Sequence, residues 1–209
     1  DPGGYTPRQS TITSTRAGDP CHAGEAAGPR GAEKGMGSRQ SSDPPRRVAV
    51  LGASLAGMFV AAACAGGGRT VTVLERDVLP DAPEPRPGVP QGRQPHVLLY
   101  RGLLALQELL PGLDRDLLDA GAVEIDTGDL AWRSEAGWSP YRYPQFGILS
   151  ATRPLVEHLV LRRVRALPGV TVRDGARVVS VRRGTDSSWQ VRLADGTVTA
   201  ADLVVDATG

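Results

Sequence analysis

The sequence predicts an α/β fold with a parallel sheet, on the basis of three observations. An apolar, β-branched run at 48–51 is followed by a Gly-rich turn and by an Ala-rich helical segment that extends to about Ala65. A second apolar run at 71–74 places a strand directly after that helix, which is the order of a βαβ unit. A further strand is expected at 203–206, after a series of short strands. Parallel strands need a long crossover between them, and this order provides one.

The turn after the first strand has the spacing of a dinucleotide-binding motif. It reads G-x-S-x-x-G, with Gly52 and Gly57 at the outer positions and Ser54 in place of the middle glycine. Gly52 allows a sharp turn off the strand, and Gly57 allows the helix to pack closely on it. A pyrophosphate would lie at the helix N-terminus, where unpaired N–H groups favour negative charge. Glu75 ends the second strand, where its carboxylate can accept hydrogen bonds from ribose hydroxyls. These features predict a Rossmann-like dinucleotide site.

Three other interpretations of this stretch are weaker. A hydrolase nucleophile elbow requires G-x-S-x-G, but two residues separate Ser54 from Gly57. A membrane span is suggested by the absence of charge from 48 to 68, although this segment is mostly Ala and Gly. A lipoprotein signal ending at Cys64 would require a start at Met36 and predicts a linker after the cysteine. A strand follows instead, so this interpretation stays a minor alternative.

Composition narrows the possible functions. The formal net charge of +1 indicates neither a nucleic-acid partner nor a membrane-surface partner. Lys34 is the only lysine, which excludes catalytic-lysine chemistry from residues 46–209. Two cysteines, Cys21 and Cys64, do not form a disulfide framework, and a cytoplasmic location fits them. The histidines are far apart and lack metal-ligand spacing, so no metal site is predicted.

The chain divides into a tail and one domain. Residues 1–45 are rich in Gly, Pro, Ser and Arg, and they contain too little apolar surface to offset the entropy of ordering. We predict that this tail is disordered and that 46–209 form the domain. Because the chain begins with Asp1 and stops just after a strand, we expect a fragment whose domain is incomplete at its C-terminal end.

Between the βαβ unit and the middle of the chain, the pattern alternates between loop, helix and sheet. Residues 81–95 are Pro-rich and predict an extended connection. A helix is predicted at 97–110 and a shorter one at 113–120. A strand is expected at 123–132, and sheet and loop at 138–148. The apolar stripe of the first helix consists of Leu99, Leu103, Leu106 and Leu110.

The last third predicts a helix and then a β-meander. Thr152 is a candidate N-cap for a helix that starts at Arg153 and extends to 167. Asp195-Gly196 is a hairpin turn signal between two of the strands that follow. Those strands are expected at 170–173, 177–182, 189–193 and around Val198.

Four segments in this order resemble a known family. They are GASLAG…VTVLERD, GVPQGRQPHVLL, TRPLVEHLVLRRV and ADLVVDATG. Together they resemble the FAD-dependent monooxygenases of the aromatic-hydroxylase and squalene-epoxidase type, and most of all bacterial members that carry R-x-G-V-P-Q-G-R-x-x-H-x-L, such as polyether-antibiotic epoxidases. The resemblance covers about 46–209 and implies a parallel FAD-binding sheet, a β-meander and an incomplete substrate-facing layer.

The resemblance also implies partners and site residues. The partners would be FAD, NAD(P)H as the reductant, molecular oxygen and a small organic substrate that is hydroxylated or epoxidised. Arg153 would reach the FAD phosphates or ribityl chain, and Arg93 and His96 would lie near the flavin or its access channel. No catalytic residue is assigned. The implied cofactor-binding residues are Gly52, Ser54, Leu55, Ala56, Gly57, Glu75, Arg76, Arg93, Arg153, Asp206 and Gly209.

Two further functions are compatible with the sequence. One is an FAD-dependent reductase or another flavoprotein oxidoreductase on the same domain. A halogenase would need a catalytic lysine, which the domain lacks. The other is a truncated, inactive remnant that binds FAD weakly or not at all.

Overall fold

A computed structural model describes residues 46–139 and 146–209. The prediction that 1–45 form a disordered tail lies outside the described residues, as does part of the predicted 138–148 segment. In the described part the helices are α1 (Leu55–Cys64), α2 (Tyr100–Leu109), α3 (Leu113–Asp119) and α4 (Arg153–Arg165). The strands are β1 (Arg47–Leu51), β2 (Thr70–Leu74), β3 (Pro95–Leu98), β4 (Val123–Asp126), β5 (Arg133–Ser134), β6 (Gly137–Trp138), β7 (Gly147–Thr152), β8 (Val170–Arg173), β9 (Val178–Arg183), β10 (Trp189–Leu193), β11 (Val198–Ala201) and β12 (Leu203–Asp206).

The predicted fold class is confirmed by a four-stranded parallel sheet with the order β12-β1-β2-β8. Strand β1 is central and buried from Val48 to Leu51, because helices cover one face and the β-meander covers the other. A strand that is buried on both faces is expected to be apolar throughout rather than alternating. This explains why the first strand was clear in the sequence.

Helix α1 returns the chain from β1 to β2. Its small residues allow close packing on the sheet, and Met58 and Ala61 are buried there. The helix ends at Cys64, and the three glycines that follow, Gly66, Gly67 and Gly68, all have positive φ. The chain leaves the helix at Ala65, whose backbone is extended, and the left-handed glycines then form the turn toward β2.

The predicted β-meander is confirmed as a second, antiparallel sheet with the order β11-β10-β9. Its hairpin turns at Gly196, which has φ +87°, and the Asp195 carboxylate accepts a hydrogen bond from the Thr197 N–H. The inner face of the meander carries Val191 and Leu193, and these pack against β1.

A third sheet, of order β3-β7-β4, corrects the predicted helix at 97–110. The segment begins as strand β3, and helix α2 starts only at Tyr100. Leu99 precedes the helix with 65% of its surface exposed, so it does not belong to the apolar stripe. The reason is non-local: Pro95 to Leu98 pair antiparallel with β7, and this pairing outweighs the helical spacing of the leucines.

The predicted strand at 123–132 is also shorter than expected. It ends at Asp126, whose carboxylate accepts a hydrogen bond from the Gly128 N–H and caps the short 3-10 helix Thr127–Asp129. Asx turns of this kind compete with strand pairing. The prediction for α4 is confirmed, since Thr152 is its N-cap and accepts a hydrogen bond from the Leu155 N–H.

Throughout the described ranges, 46–139 and 146–209, there is no helix with the length and apolar character needed to cross a membrane.

Candidate functional site

An open cleft of about 740 Å³ lies at the carboxyl ends of three parallel strands. Strands β1, β2 and β12 end there at Leu51, Leu74 and Asp206. Ligands of doubly wound sheets bind at this edge, in the crevice outside the strand ends. The predicted site residues that line the cleft are Gly52, Ser54, Glu75, Arg76, Arg153 and Gly209. Ala207 and Thr208, which follow β12, also line it.

The Gly-rich turn has the backbone geometry that its glycines predict. Gly52 has φ +95°, and a Cβ there would lie 2.7 Å from the Ala207 carbonyl oxygen. Its N–H donates to the Leu74 carbonyl, which holds the turn against β2. Ser54 has φ −80° and ψ 179°, which any residue adopts. The departure from the middle glycine therefore causes no backbone strain.

The Ser54 side chain is the N-cap of α1 but makes no capping hydrogen bond. The N–H groups of the first helical turn have no acceptor within the helix, and a ligand can therefore use them. Leu55 and Ala56 form that turn, and they are not among the residues that line the cleft. The cleft thus meets the helix at its N-terminal end through Ser54.

Glu75 is buried at the end of β2, with 7% of its surface exposed. Its Oε2 accepts a hydrogen bond from the Ala53 N–H at 2.7 Å, and its Oε1 accepts one from the Asp77 N–H at 3.0 Å. Burial by itself raises the pKa of this carboxyl. The two N–H donors and Arg86 outweigh burial, and the pKa lies below its usual value. Glu75 is therefore a carboxylate at neutral pH, able to accept hydrogen bonds from hydroxyl groups.

Arg86 is a residue of this site that the sequence interpretation missed. It is 8% exposed and lines the cleft. Its Nη1 lies 3.3 Å from Glu75 Oε2, its Nη2 donates to the Ala53 carbonyl at 3.0 Å, and its Nε and Nη2 both lie 3.4 Å from Glu157 Oε2. The signal was present in the R-x-G-V-P-Q motif, whose arginine is Arg86. A polar, Pro-rich loop gave no indication that this arginine would be buried.

Arg153 lies at the start of α4 and joins the same network. Its Nε donates to Glu157 Oε1 at 2.8 Å, one helical turn further along. Its Nη1 lies 2.8 Å from His96 Nε2. Strand β3 brings His96 to this position, because His96 pairs with Ala151 just before α4. Glu157 was also missed, since a glutamate on an amphipathic helix usually faces solvent.

The other predicted residues lie around this centre. Arg76 lines the cleft with 64% of its side chain exposed, and its Nε lies 3.7 Å from Asp77 Oδ1. Asp206 is exposed and accepts hydrogen bonds from the N–H and hydroxyl of Thr208. These two hydrogen bonds lower the pKa of the Asp206 carboxyl. Arg93 is exposed, and like Asp206 it is not among the residues that line the cleft. Gly57 is buried under the turn. Binding roles for all of these residues stay predictions.

Within 46–139 and 146–209 no cluster of three or more His, Cys, Asp or Glu side chains could hold a metal ion. Cys64 is a free cysteine at the end of α1 and is half-buried there.

The fold and the position of the cleft define a Rossmann-like α/β protein, and comparisons with solved structures agree. The chain is similar to the Diels-Alderase PyrE3 from the biosynthetic pathway of pyrroindomycins, with a TM-score of 0.59 and 25% identity over 78% of this chain and 32% of that one. It is also similar in fold to PqsL, a probable FAD-dependent monooxygenase from Pseudomonas aeruginosa, with a TM-score of 0.52 and 18% identity over 77% of this chain and 40% of that one. The fold is therefore shared with FAD-dependent monooxygenases.

Among curated proteins, the chain is 35% identical over 183 residues to Protein Rv3254 of Mycobacterium tuberculosis strain H37Rv. The match covers 80% of this chain but 38% of that relative. The chain thus spans less than two fifths of the relative's length. No protein-family model matches the sequence.

Proposed function

We propose that this chain is the FAD-binding part of a flavoprotein oxidoreductase. The observation that carries the proposal is the meeting of three features in one cleft: the Gly52 turn, the Glu75 carboxylate and the Arg153 guanidinium. They come from β1, β2 and α4, which are distant in sequence. The fold shared with FAD-dependent monooxygenases supports the same cofactor.

The chemistry of these side chains fits the adenosine diphosphate part of FAD. The first turn of α1 and the Ser54 hydroxyl would hold the diphosphate, because helix N-termini favour anions. Glu75 Oε1 accepts from the Asp77 N–H, and a carboxylate oxygen has a second lone pair for a ribose hydroxyl. Arg153 would supply a planar, permanently charged donor to a phosphate. Arg76 lies on the same cleft and would face the adenine end.

When bound, FAD supplies the redox chemistry, and the protein positions it and limits the access of water. We further propose that the reaction is a monooxygenation with NAD(P)H as the reductant, molecular oxygen as the oxidant and a small organic substrate. This finer proposal is supported by the motif order and by the shared fold with monooxygenases. PyrE3 is a Diels-Alderase with the same fold, so the fold alone does not select the reaction. A reductase is the second candidate.

The first experiment is a flavin-retention assay on the purified chain. The chain is incubated with FAD, desalted and examined by absorbance, with circular dichroism as the test of folding. We expect retained flavin bands. Riboflavin is the matched control, because it lacks the phosphates and adenosine that the described residues would contact, and we expect it to be lost on desalting. A folded chain that retains neither compound would contradict the proposal.

The finer proposal has its own measurement. FAD-loaded protein is mixed with NADH or NADPH, and oxygen uptake is recorded with a panel of small aromatic and alkene substrates. A monooxygenase is expected to consume oxygen and nicotinamide together and to form an oxygenated product. Flavin reduction with no oxygenated product would favour the reductase.

A further inference from the structure

A connected chain of charged side chains crosses the wall of the cleft. It begins at Glu75 and continues through Arg86 and Glu157 to Arg153, with contacts of 3.3, 3.4 and 2.8 Å between successive side chains. All four side chains are at least 86% buried, as their relative exposures of 9%, 6%, 14% and 14% show. Removing one member of such a network is costly, since it leaves a buried charge without its partner.

The two arginines differ in what their contacts leave free. All three guanidinium nitrogens of Arg86 are engaged, by Glu75, by Glu157 and by the Ala53 carbonyl. Arg153 uses Nε for Glu157 and Nη1 for His96, and its Nη2 makes no hydrogen bond within the part of the chain that the structure describes. Arg86 therefore acts as an internal connection between elements, while Arg153 keeps donors for a ligand.

The contact between Arg153 and His96 determines the tautomer of the imidazole. A guanidinium has no acceptor atom, so the bond of 2.8 Å requires His96 Nε2 to accept. A neutral imidazole whose Nε2 accepts carries its proton on Nδ1. That Nδ1 is buried and has no hydrogen-bond partner among residues 46–139 and 146–209. A buried, unpaired donor is unfavourable, and such groups are rare unless a ligand or water pairs with them.

We propose that Glu157 is a positioning residue that fixes Arg153 for the bound ligand, and that Arg153 in turn fixes His96 as the Nδ1–H tautomer. Glu157 does not itself line the cleft, and it acts through Arg86 and Arg153, which do. The part of this inference that concerns the ligand depends on the proposed FAD site. The part that concerns the tautomer does not depend on it.

The test of the tautomer uses the free protein. The chain contains three histidines, so ¹⁵N-histidine labelling gives a simple spectrum, and a His96→Gln variant assigns the His96 signals. We expect wild-type His96 to show a protonated Nδ1 and an unprotonated Nε2. In Glu157→Gln, Arg153 loses its anionic partner, and we expect the His96 signals to shift toward a mixture of tautomers. A wild-type His96 with its proton on Nε2 would overturn the proposal.

Asp116, which lies on α3, provides a matched control that contacts the same helix, α4. Its Oδ2 accepts from Arg163 Nε at 2.7 Å and from Arg162 Nη2 at 3.3 Å, and so one carboxylate again joins two arginines of α4. Neither arginine lines the cleft. Asp116→Asn removes the same charge and is expected to leave the His96 spectrum unchanged. An equal response to both variants would show a general effect of destabilising α4 and would contradict the positioning role.

Binding measurements then test the ligand part. Wild type, Glu157→Gln and Asp116→Asn are titrated with FAD and with adenosine, which lacks phosphate. We expect Glu157→Gln to weaken FAD binding about tenfold and adenosine binding less than twofold, with Asp116→Asn equal to wild type. Tighter FAD binding by Glu157→Gln would show that Glu157 competes with the ligand for Arg153, which overturns the proposal. Wild type that binds no FAD would contradict the proposed function, while the tautomer spectrum still decides on Glu157.

Discussion

A Cβ atom at Gly57 would lie 2.0 Å from the carbonyl oxygen of Gly52. Gly57 thus lies directly under Gly52, at the point where α1 crosses the turn that leaves β1. No side chain fits at that distance, and the neighbouring atom is backbone, which cannot rotate away. The last glycine of the G-x-S-x-x-G motif is therefore required for packing in this fold, in addition to the phosphate-binding role that the motif predicts.

This relationship predicts that Gly57→Ala is strongly destabilising. The Cβ must push α1 off the turn, and we expect a loss of about 3 kcal/mol or more in the free energy of unfolding. Gly102 is the matched control, since it lies in α2 and, apart from its chain neighbours and its own helix backbone, nothing lies within 4 Å of its ideal Cβ position. Gly102→Ala should stabilise the protein by about 0.5–1 kcal/mol, because alanine is the better helix former. Urea denaturation measures both, and equal effects would contradict the packing argument.

Substitution of Ser54 separates folding from binding. Ser54 is the N-cap of α1, lines the cleft and makes no capping bond. Ser54→Asp introduces a good N-cap with favourable charge for the helix dipole, so we expect stability to be equal or higher by up to about 1 kcal/mol. The same charge repels a diphosphate, and FAD retention should fall at least about tenfold. Ser54→Gly is the control and should retain FAD. Equal FAD retention by the Asp variant would place the diphosphate elsewhere.

Removal of Arg86 should destabilise the fold even without ligand. Arg86→Met leaves the buried Glu75 and Glu157 carboxylates without this partner, and we expect a loss of about 3 kcal/mol in the free energy of unfolding. Arg76→Met is the control, since Arg76 is 64% exposed at its side chain and should change stability by less than about 0.5 kcal/mol. Thermal unfolding of the two variants provides the comparison. A tolerated Arg86→Met would show that the network contributes little to the fold.

The contact between Arg47 and Asp202 predicts a pH-dependent stability. The Arg47 guanidinium, followed by the N–H groups of Arg47 and Arg46, lowers the pKa of Asp202 to about 2. A carboxyl whose folded pKa is lowered stabilises the protein above its unfolded pKa, and the contribution is lost as the pH falls through the folded value. The contribution is therefore present at neutral pH and disappears between about pH 4 and pH 2.

Asp202→Asn tests this directly. Because both side chains of the pair are partly exposed, we expect the variant to lower the Tm by no more than about 3 °C at pH 7. The difference from wild type should shrink as the pH falls from 4 to 2. Asp119→Asn is the control, because that carboxylate is exposed and makes no ion pair in the described residues. A difference between wild type and Asp202→Asn that stays constant with pH would contradict the assignment.

The sequence was informative where local and global preferences agree. The buried strand β1, the Gly-rich turn and the apolar β2 form a contiguous unit along the chain. The β-meander was similarly clear, because alternating residues and the Asp195-Gly196 turn are local signals. The helix start at Thr152 also follows from local capping chemistry.

The sequence failed where a segment is determined by a distant partner. The helix predicted at 97–110 begins too early: Val97 and Leu98 belong to strand β3, because β7, about 50 residues further on, pairs with it. This strand is also what brings His96 to Arg153. Local spacing could not reveal it, since the competing interaction comes from another part of the chain.

By itself, the sequence determined the βαβ unit, its Gly52 and Gly57 turn and the acidic residue at the end of β2, since each follows from residues that are neighbours along the chain. Only the tertiary structure decided that Arg86 is buried between Glu75 and Glu157, and that Arg153 holds His96. The physical reason is that a buried charge is tolerated only beside its partners. Those partners lie on separate strands and helices, and folding alone brings them together.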